Sequence, residues 1–165
     1  MPSFLSPDKA TLTTLTPPSR KSNKNMTDTP APGFTIERTG ERQYAAKNER
    51  GSELVIGYGP GEFSPGDLLK LAILGCNALS SEARFVRALG EEFQITGSIK
   101  AHYRKDEDRF TSFDVELEPV VSGLYPEDRE LLLGRAARAI ARYCTISHTL
   151  DHPAPTTLVI DGESL

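Results

Sequence analysis

A chain of 165 residues with 38% hydrophobic content can bury one sizeable core, and its formal net charge of −4 lacks the basic excess that phosphate-backbone binding needs. Nucleic acid is therefore not an expected partner. No apolar window long enough to span a bilayer occurs and no short apolar signal core opens the sequence, so neither membrane nor export is expected and the cytoplasm is the expected compartment.

Residues 1–33 are rich in Ser, Thr and Pro without an apolar period, which predicts a disordered tail that cannot offset the entropy of ordering. Translation starting at Met26 is the simplest account of it. Residues 34–165 are then a single domain. Its first runs, FTIERT (34–39), RQYAAK (42–47) and ELVIGY (53–58), are β-compatible, with NERG (48–51) as a hairpin turn, and predict an antiparallel meander. A helix follows with a strong start: Ser64 as N-cap, Pro65 at the first helical position and Asp67 in capping-box spacing. It is expected to run to about Leu89 and to lie in the core, because between positions 68 and 79 only Lys70 is charged.

The next stretch alternates cleanly. Phe93, Ile95, Gly97, Ile99, Ala101 and Tyr103 interleave with polar residues, and after the KDED turn Phe113, Val115 and Leu117 alternate with Asp114, Glu116 and Glu118, predicting an antiparallel pair with an acidic outer face. PEDRELLLGRAARAIARYCTISHTL opens with Pro126 and acids in its first turn and predicts one helix to about Leu150. Leu133, Ala136, Ala137, Ile140, Cys144 and Ser147 are its expected inward stripe. Arg135, Arg138 and Arg142 form a basic stripe, read as a solvated face or as a partner for the acidic strand face in a dimer. TTLVID (156–161) is expected to close the fold as a strand, for an α+β order βββ-α-ββ-α-β.

This order places the only two cysteines, Cys76 and Cys144, each inside a predicted helix. In a reducing compartment such thiols are core residues, metal ligands or redox groups rather than a structural staple. Cys76 lies twelve residues past Ser64, roughly 18 Å from the positive helix end, so the dipole does not activate it. Without a cation from elsewhere it is a small core residue, the commoner role for a buried thiol. Cys144 and His148 stand at i, i+4, with His152 beyond, but no second cluster at zinc spacing completes a metal set. His102 reads as an exposed strand residue. Gly57, Gly59 and Gly61 lack the βαβ context of a nucleotide loop.

PGDLLKLAILGC and YCTISHTL together resemble the osmotically inducible protein C / organic hydroperoxide resistance (OsmC/Ohr) superfamily over roughly residues 34–162. The shared pattern is a proline-led helix start, a cysteine eleven residues after that proline (Pro65 to Cys76) and a second cysteine in a C-P/T-[IV]-S type motif (Cys144-Thr145-Ile146-Ser147). The resemblance implies antiparallel sheets packed around a buried central helix in an intertwined homodimer. It implies a thiol peroxidase for organic or lipid-derived hydroperoxides, with Cys76 peroxidatic, Cys144 resolving, a dithiol of lipoyl type as reductant and no metal or organic cofactor. It also implies an arginine from the first strands, in a T-G-x-R setting matched by Thr39-Gly40-Glu41-Arg42. Arg42 is the expected residue and Arg38 the reserve. The chain departs from the pattern where a glutamate usually follows the helix-start proline: that position is Gly66. Asp67, the nearest acid, is both a capping residue and a candidate catalytic partner, and Arg42 would have to recruit Glu62 or Asp67. The alternative function is a noncatalytic dimer binding a small hydrophobic ligand in the same cleft.

Overall fold

The computed structural model describes Gly33–Ser164, so the expected tail and the Met26 start lie outside the described residues apart from Gly33. Strands β1 (Phe34–Gly40), β2 (Gln43–Asn48) and β3 (Glu53–Ile56) form the antiparallel meander in that order. Ile36 pairs with Ala46 and Ala46 with Leu54, while Tyr44 pairs with both Arg38 and Ile56, so these residues share one face of the sheet. At the outer strand of that face Phe34 is 68% and Ile36 61% exposed. The β2–β3 turn closes because the Asn48 side-chain oxygen accepts from the backbone amides of Arg50 and Ser52 at 3.0 and 2.9 Å. Gly51, at φ 82°, supplies the left-handed residue there.

Helix α1 (Pro65–Leu89) begins as the sequence predicts. The Asp67 amide donates to Ser64 Oγ at 3.1 Å and the Ser64 amide donates to Asp67 Oδ2 at 3.1 Å, a reciprocal capping box. The buried stripe of α1 is Ile73, Asn77, Ser81 and Phe85, one residue per turn. Its two polar members satisfy themselves locally, Asn77 Nδ2 donating to the Ile73 carbonyl and Ser81 Oγ to the Asn77 carbonyl. Leu71 and Leu79 point the other way, 47% and 72% exposed.

Strands β4 (Ile95–Arg104) and β5 (Arg109–Pro119) pair antiparallel, and α1 packs across the face carrying Ile95, Gly97 and Ile99. A Cβ at Gly97 would lie 3.1 Å from Leu74 Cδ1 and 3.0 Å from Leu117 Cδ2. Glycine there lets the helix approach the ribbon closely. Helix α2 (Pro126–Tyr143) lies against α1, where Leu132 and Ala136 join Phe85 in the core, with Leu89, Phe93, Ile95, Val121 and Leu124 around them. Phe85 and Phe93 stack with centroids 5.6 Å apart.

Three expectations are corrected. The last long helix does not run through Cys144: α2 ends at Tyr143, Cys144 takes φ −77° and ψ 97°, and a separate α3 (Thr145–Asp151) follows. The break is stabilised because Cys144 serves both helices, its amide donating to the Ile140 carbonyl and its sulfur accepting from Ser147 as an N-cap would. The β-branched pair Thr145-Ile146 favours a fresh start over continuation. Second, the inward stripe is Leu132, Ala136, Ala139 and Cys144; Leu133 and Ala137 face outward, because the helix is rotated by about one position towards α1. Third, the single closing strand is a short hairpin, β6 (Val159–Ile160) with β7 (Glu163–Ser164), turned by Asp161 and Gly162 in the left-handed region.

The capping box carries two measurable consequences. Ser64→Ala is expected to lower unfolding free energy by about 1 kcal/mol in denaturant titrations. Asp67 is held at about 2, first by the Lys70 ammonium and then by Ser64. Its folded pKa is depressed, so its contribution is complete above the unfolded value near about 4 and disappears as pH falls through about 2. Asp67→Asn is expected to flatten the acid limb of a thermal-stability profile over that window; an unchanged limb would contradict the assignment.

Candidate functional site

The broken helix brings Cys144 against α1 at Cys76. Both cysteines are free thiols, Cys76 partly exposed and Cys144 wholly buried. The Cys76 side chain is close enough to Cys144 to help lower its thiol pKa. Ser147 supplies two donors, its hydroxyl at 3.1 Å and its amide at 3.4 Å from Sγ. Burial pushes the Cys144 thiol up, but the Ser147 hydroxyl, the Cys76 thiol and the amides of Ser147 and Ile146 together outweigh it and bring the group below its ordinary value. Sequence reasoning placed Ser147 on an inward stripe and in the motif but not as a donor to sulfur. No local signal marks it, because helical spacing runs unbroken across Cys144 and only the backbone break makes Ser147 a capping donor.

Cys76 opens into a cleft of about 600 Å³ lined by Leu71, Ala72, Leu79, Tyr143 and Ile146. The walls are apolar, as a site for an uncharged organic molecule requires. Cys76 lines this cleft, whereas the buried Cys144 does not.

The other expected site residues stand elsewhere. Arg42 lies in the β1–β2 turn at φ 52°, its guanidinium stacked 4.9 Å from the Tyr58 ring centre. It does not line the Cys76 cleft of its own chain and pairs with no carboxylate among the described residues. Arg38 is an exposed β1 residue opposite Tyr44. The expected recruitment of Glu62 or Asp67 by Arg42 does not occur within the described residues. Glu62 is occupied by the Gln43 side chain and by the Gly59 amide at 2.8 Å, contacts that lower its pKa, the Gln43 contact most. Asp67 is held by Ser64 and by Lys70 at 2.7 Å. It sits nine residues from Cys76, roughly 14 Å along the helix, which makes it a capping residue rather than a neighbour of the thiol.

Gly66 has its own steric reason. A Cβ there would stand 3.2 Å from the Phe110 ring, so the β5 aromatic occupies the space into which a side chain at this position would grow. His148 turns its Nε2 to the Ala141 carbonyl at 2.9 Å, and among the described residues no three His, Cys, Asp or Glu side chains gather as a metal set. No helix among the described residues is long and apolar enough to cross a membrane.

This fold is shared with solved structures. An OsmC-like protein of unknown function, VCA0330 from Vibrio cholerae, superposes with a TM-score of 0.58 at 11% identity, covering 73% of this chain and 94% of that one. The chain has the OsmC-like fold. An organic hydroperoxide resistance protein from Elizabethkingia anophelis has the same OsmC/Ohr fold, with a TM-score of 0.50 at 19% identity over 77% of this chain and 93% of that one. In sequence, the uncharacterized protein Rv2923c of Mycobacterium tuberculosis is 32% identical over 117 residues, 70% of this chain and 85% of that protein. Uncharacterized protein Mb2948c of Mycobacterium bovis matches to the same extent. No family model matches the chain.

Within this OsmC-like fold the donors on Cys144 are open to test. Ser147→Ala removes the leading donor, so the Cys144 thiol is expected to titrate higher, read by the pH dependence of alkylation in a Cys76→Ser background. Titration that does not move would remove Ser147 from the account.

Proposed function

We propose that the protein is a cysteine-based peroxidase that reduces organic or lipid-derived hydroperoxides. The observation that carries this reading is the neighbouring pair of free thiols, Cys76 partly exposed in an apolar cleft and Cys144 buried beside it. The fold shared with an organic hydroperoxide resistance protein supports it.

In this reading the Cys76 thiolate attacks the distal oxygen of ROOH. An S–O bond forms, the O–O bond breaks, and the alkoxide leaves and takes a proton to become ROH. Cys144, held towards thiolate by Ser147, then attacks the Cys76 sulfur; the S–S bond forms and hydroxide leaves as water. The peroxide has gained two electrons and the thiol pair has lost them. A dithiol of lipoyl type returns them by exchange, closing its own disulfide, in the reducing cytoplasm.

Activation of Cys76 needs a cation, and within one chain Arg42 does not supply it. The exposed apolar face of the β1–β3 sheet, with Phe34 and Ile36 uncovered, suits burial against a second copy of the chain. An intertwined homodimer would cover that face and bring a turn carrying Arg42 to a thiol cleft. With no carboxylate paired to Arg42 among the described residues, its fork can address thiolate and peroxide oxygen together.

One equivalent of cumene hydroperoxide is expected to consume both thiols and to yield a Cys76–Cys144 bridge in peptide mass mapping. Both thiols persisting beside intact peroxide would favour the noncatalytic ligand-binding dimer. Arg42→Met in a Cys144→Ser background is expected to slow the reaction of Cys76 with hydroperoxide, with Arg42→Lys restoring only part. If Arg38→Met and not Arg42→Met has this effect, the role moves to Arg38.

A further inference from the structure

A second depression lies not at the thiols but farther along the same two helices, a trench of about 740 Å³ between the second half of α1 and α2. Five guanidiniums line it: Arg84 and Arg87 from α1, and Arg135, Arg138 and Arg142 from α2. Asp128 is the single carboxylate among the lining residues. None of the five arginines makes an ion pair among the described residues, although the chain as a whole carries a net charge of −4. Arg142 instead stacks 5.4 Å from the Tyr143 ring centre. A row of unpaired guanidiniums in one concavity repels itself, and a bound anion relieves that repulsion.

The trench floor is apolar, with Leu124, Leu131, Leu132 and Ala139 between the charges. Its occupant is therefore amphipathic rather than a small inorganic ion. Tyr143 lines both the trench and the Cys76 cleft, so the two depressions meet there. On α1 the spacing Cys76, Ser80, Arg84, Arg87 keeps the thiol and the arginines along one side of the helix. Arg84 lies eight residues from Cys76, roughly 12 Å along the axis, and Arg87 eleven, roughly 17 Å. With C–C bonds of about 1.5 Å in a zigzag, an extended chain of roughly ten carbons spans the shorter of these distances and one of about fourteen the longer.

We propose that the arginine trench is a carboxylate subsite, binding the head of a long-chain monocarboxylic acid whose hydroperoxide group, about ten carbons away, reaches Cys76 past Tyr143. This rests on the peroxidase reading for its chemistry but not for its binding. Arg84, Arg135 and Arg138 are the positioning residues: they hold the head group and leave the O–O cleavage to the thiols.

The test compares linoleic acid hydroperoxide with its methyl ester, which has the same chain and peroxide but no carboxylate. The parent protein is expected to prefer the acid in kcat/KM by about tenfold, as charge-assisted hydrogen bonds of this kind predict. In Arg84→Gln/Arg135→Gln/Arg138→Gln protein, checked for folding by circular dichroism, the acid-to-ester ratio is expected to fall towards one, mainly through KM. A parent ratio near one, or a ratio that survives the triple substitution, would overturn the subsite. Calorimetry with laurate keeps the two readings apart. If no hydroperoxide of any kind is reduced yet laurate binds the parent and not the triple variant, the peroxidase reading falls and the subsite stands. Absence of laurate binding to a protein that reduces cumene hydroperoxide would retain the peroxidase and remove the subsite.

Discussion

The arrangement depends on a helix that stops one residue short of continuing. Had α2 run straight on, Cys144 would have been one more position on an inward stripe, with its amide and carbonyl in the helical ladder and its sulfur against whatever lay opposite. Instead Cys144 takes ψ 97° and closes two helices at once. Its sulfur becomes the acceptor that starts α3, and the donors that start α3 are therefore also the donors that stabilise a thiolate. The same geometry sets it against the Cys76 thiol on α1. Structural capping and thiol chemistry use one set of hydrogen bonds, which explains how a fully buried thiol avoids the upward shift that burial alone imposes.

The rest of the chain divides into parts that hold this contact and parts that wait for something else. The α1–α2 core around Phe85 and Leu132, and the close approach of α1 to the β4–β5 ribbon at Gly97, fix the two cysteine-bearing segments relative to one another. The capping box fixes where α1 begins, and so where Cys76 falls along it. By contrast the first sheet leaves Phe34 and Ile36 in the open and carries Arg42 away from the cleft of its own chain. The Phe110 ring against Gly66 belongs to the same contrast. The position where the superfamily pattern resembled by this sequence carries a glutamate is here taken up by an aromatic from β5, and the carboxylates near Arg42 in sequence, Glu62 and Asp67, are both committed to local structure.

Much of this was legible in the residues. The capping box at Ser64 and Asp67, the alternation in β4 and β5, and the spacing from Pro65 to Cys76 are local signals, and each was found where local physics puts it. The break at Cys144 was not read, because helical periodicity continues across it: Ala136, Ile140, Cys144 and Ser147 keep a spacing of three or four, and only a backbone angle and a sulfur acceptor reveal the stop. The one-position error in the α2 stripe has a related cause, since Leu131, Leu132 and Leu133 are equally apolar and only the packing of α1 decides which is buried. Partners for Arg42 were guessed from proximity in sequence, whereas competition by Gln43, Lys70 and Ser64 decides them in space. The arginines of α2 were recognised as a stripe, but their meeting with Arg84 and Arg87 is a tertiary fact that no single-helix pattern contains.

The central claim is that Cys76 is the sulfur that peroxide meets first and Cys144 the one that answers. The most direct measurement is sulfenic acid trapping with dimedone in Cys144→Ser protein treated with an organic hydroperoxide, followed by peptide mass mapping. The account predicts a dimedone adduct on Cys76, formed at the rate at which hydroperoxide disappears. Unmodified Cys76 with hydroperoxide left intact, or an adduct that appears only on Cys144 in Cys76→Ser protein, would contradict it.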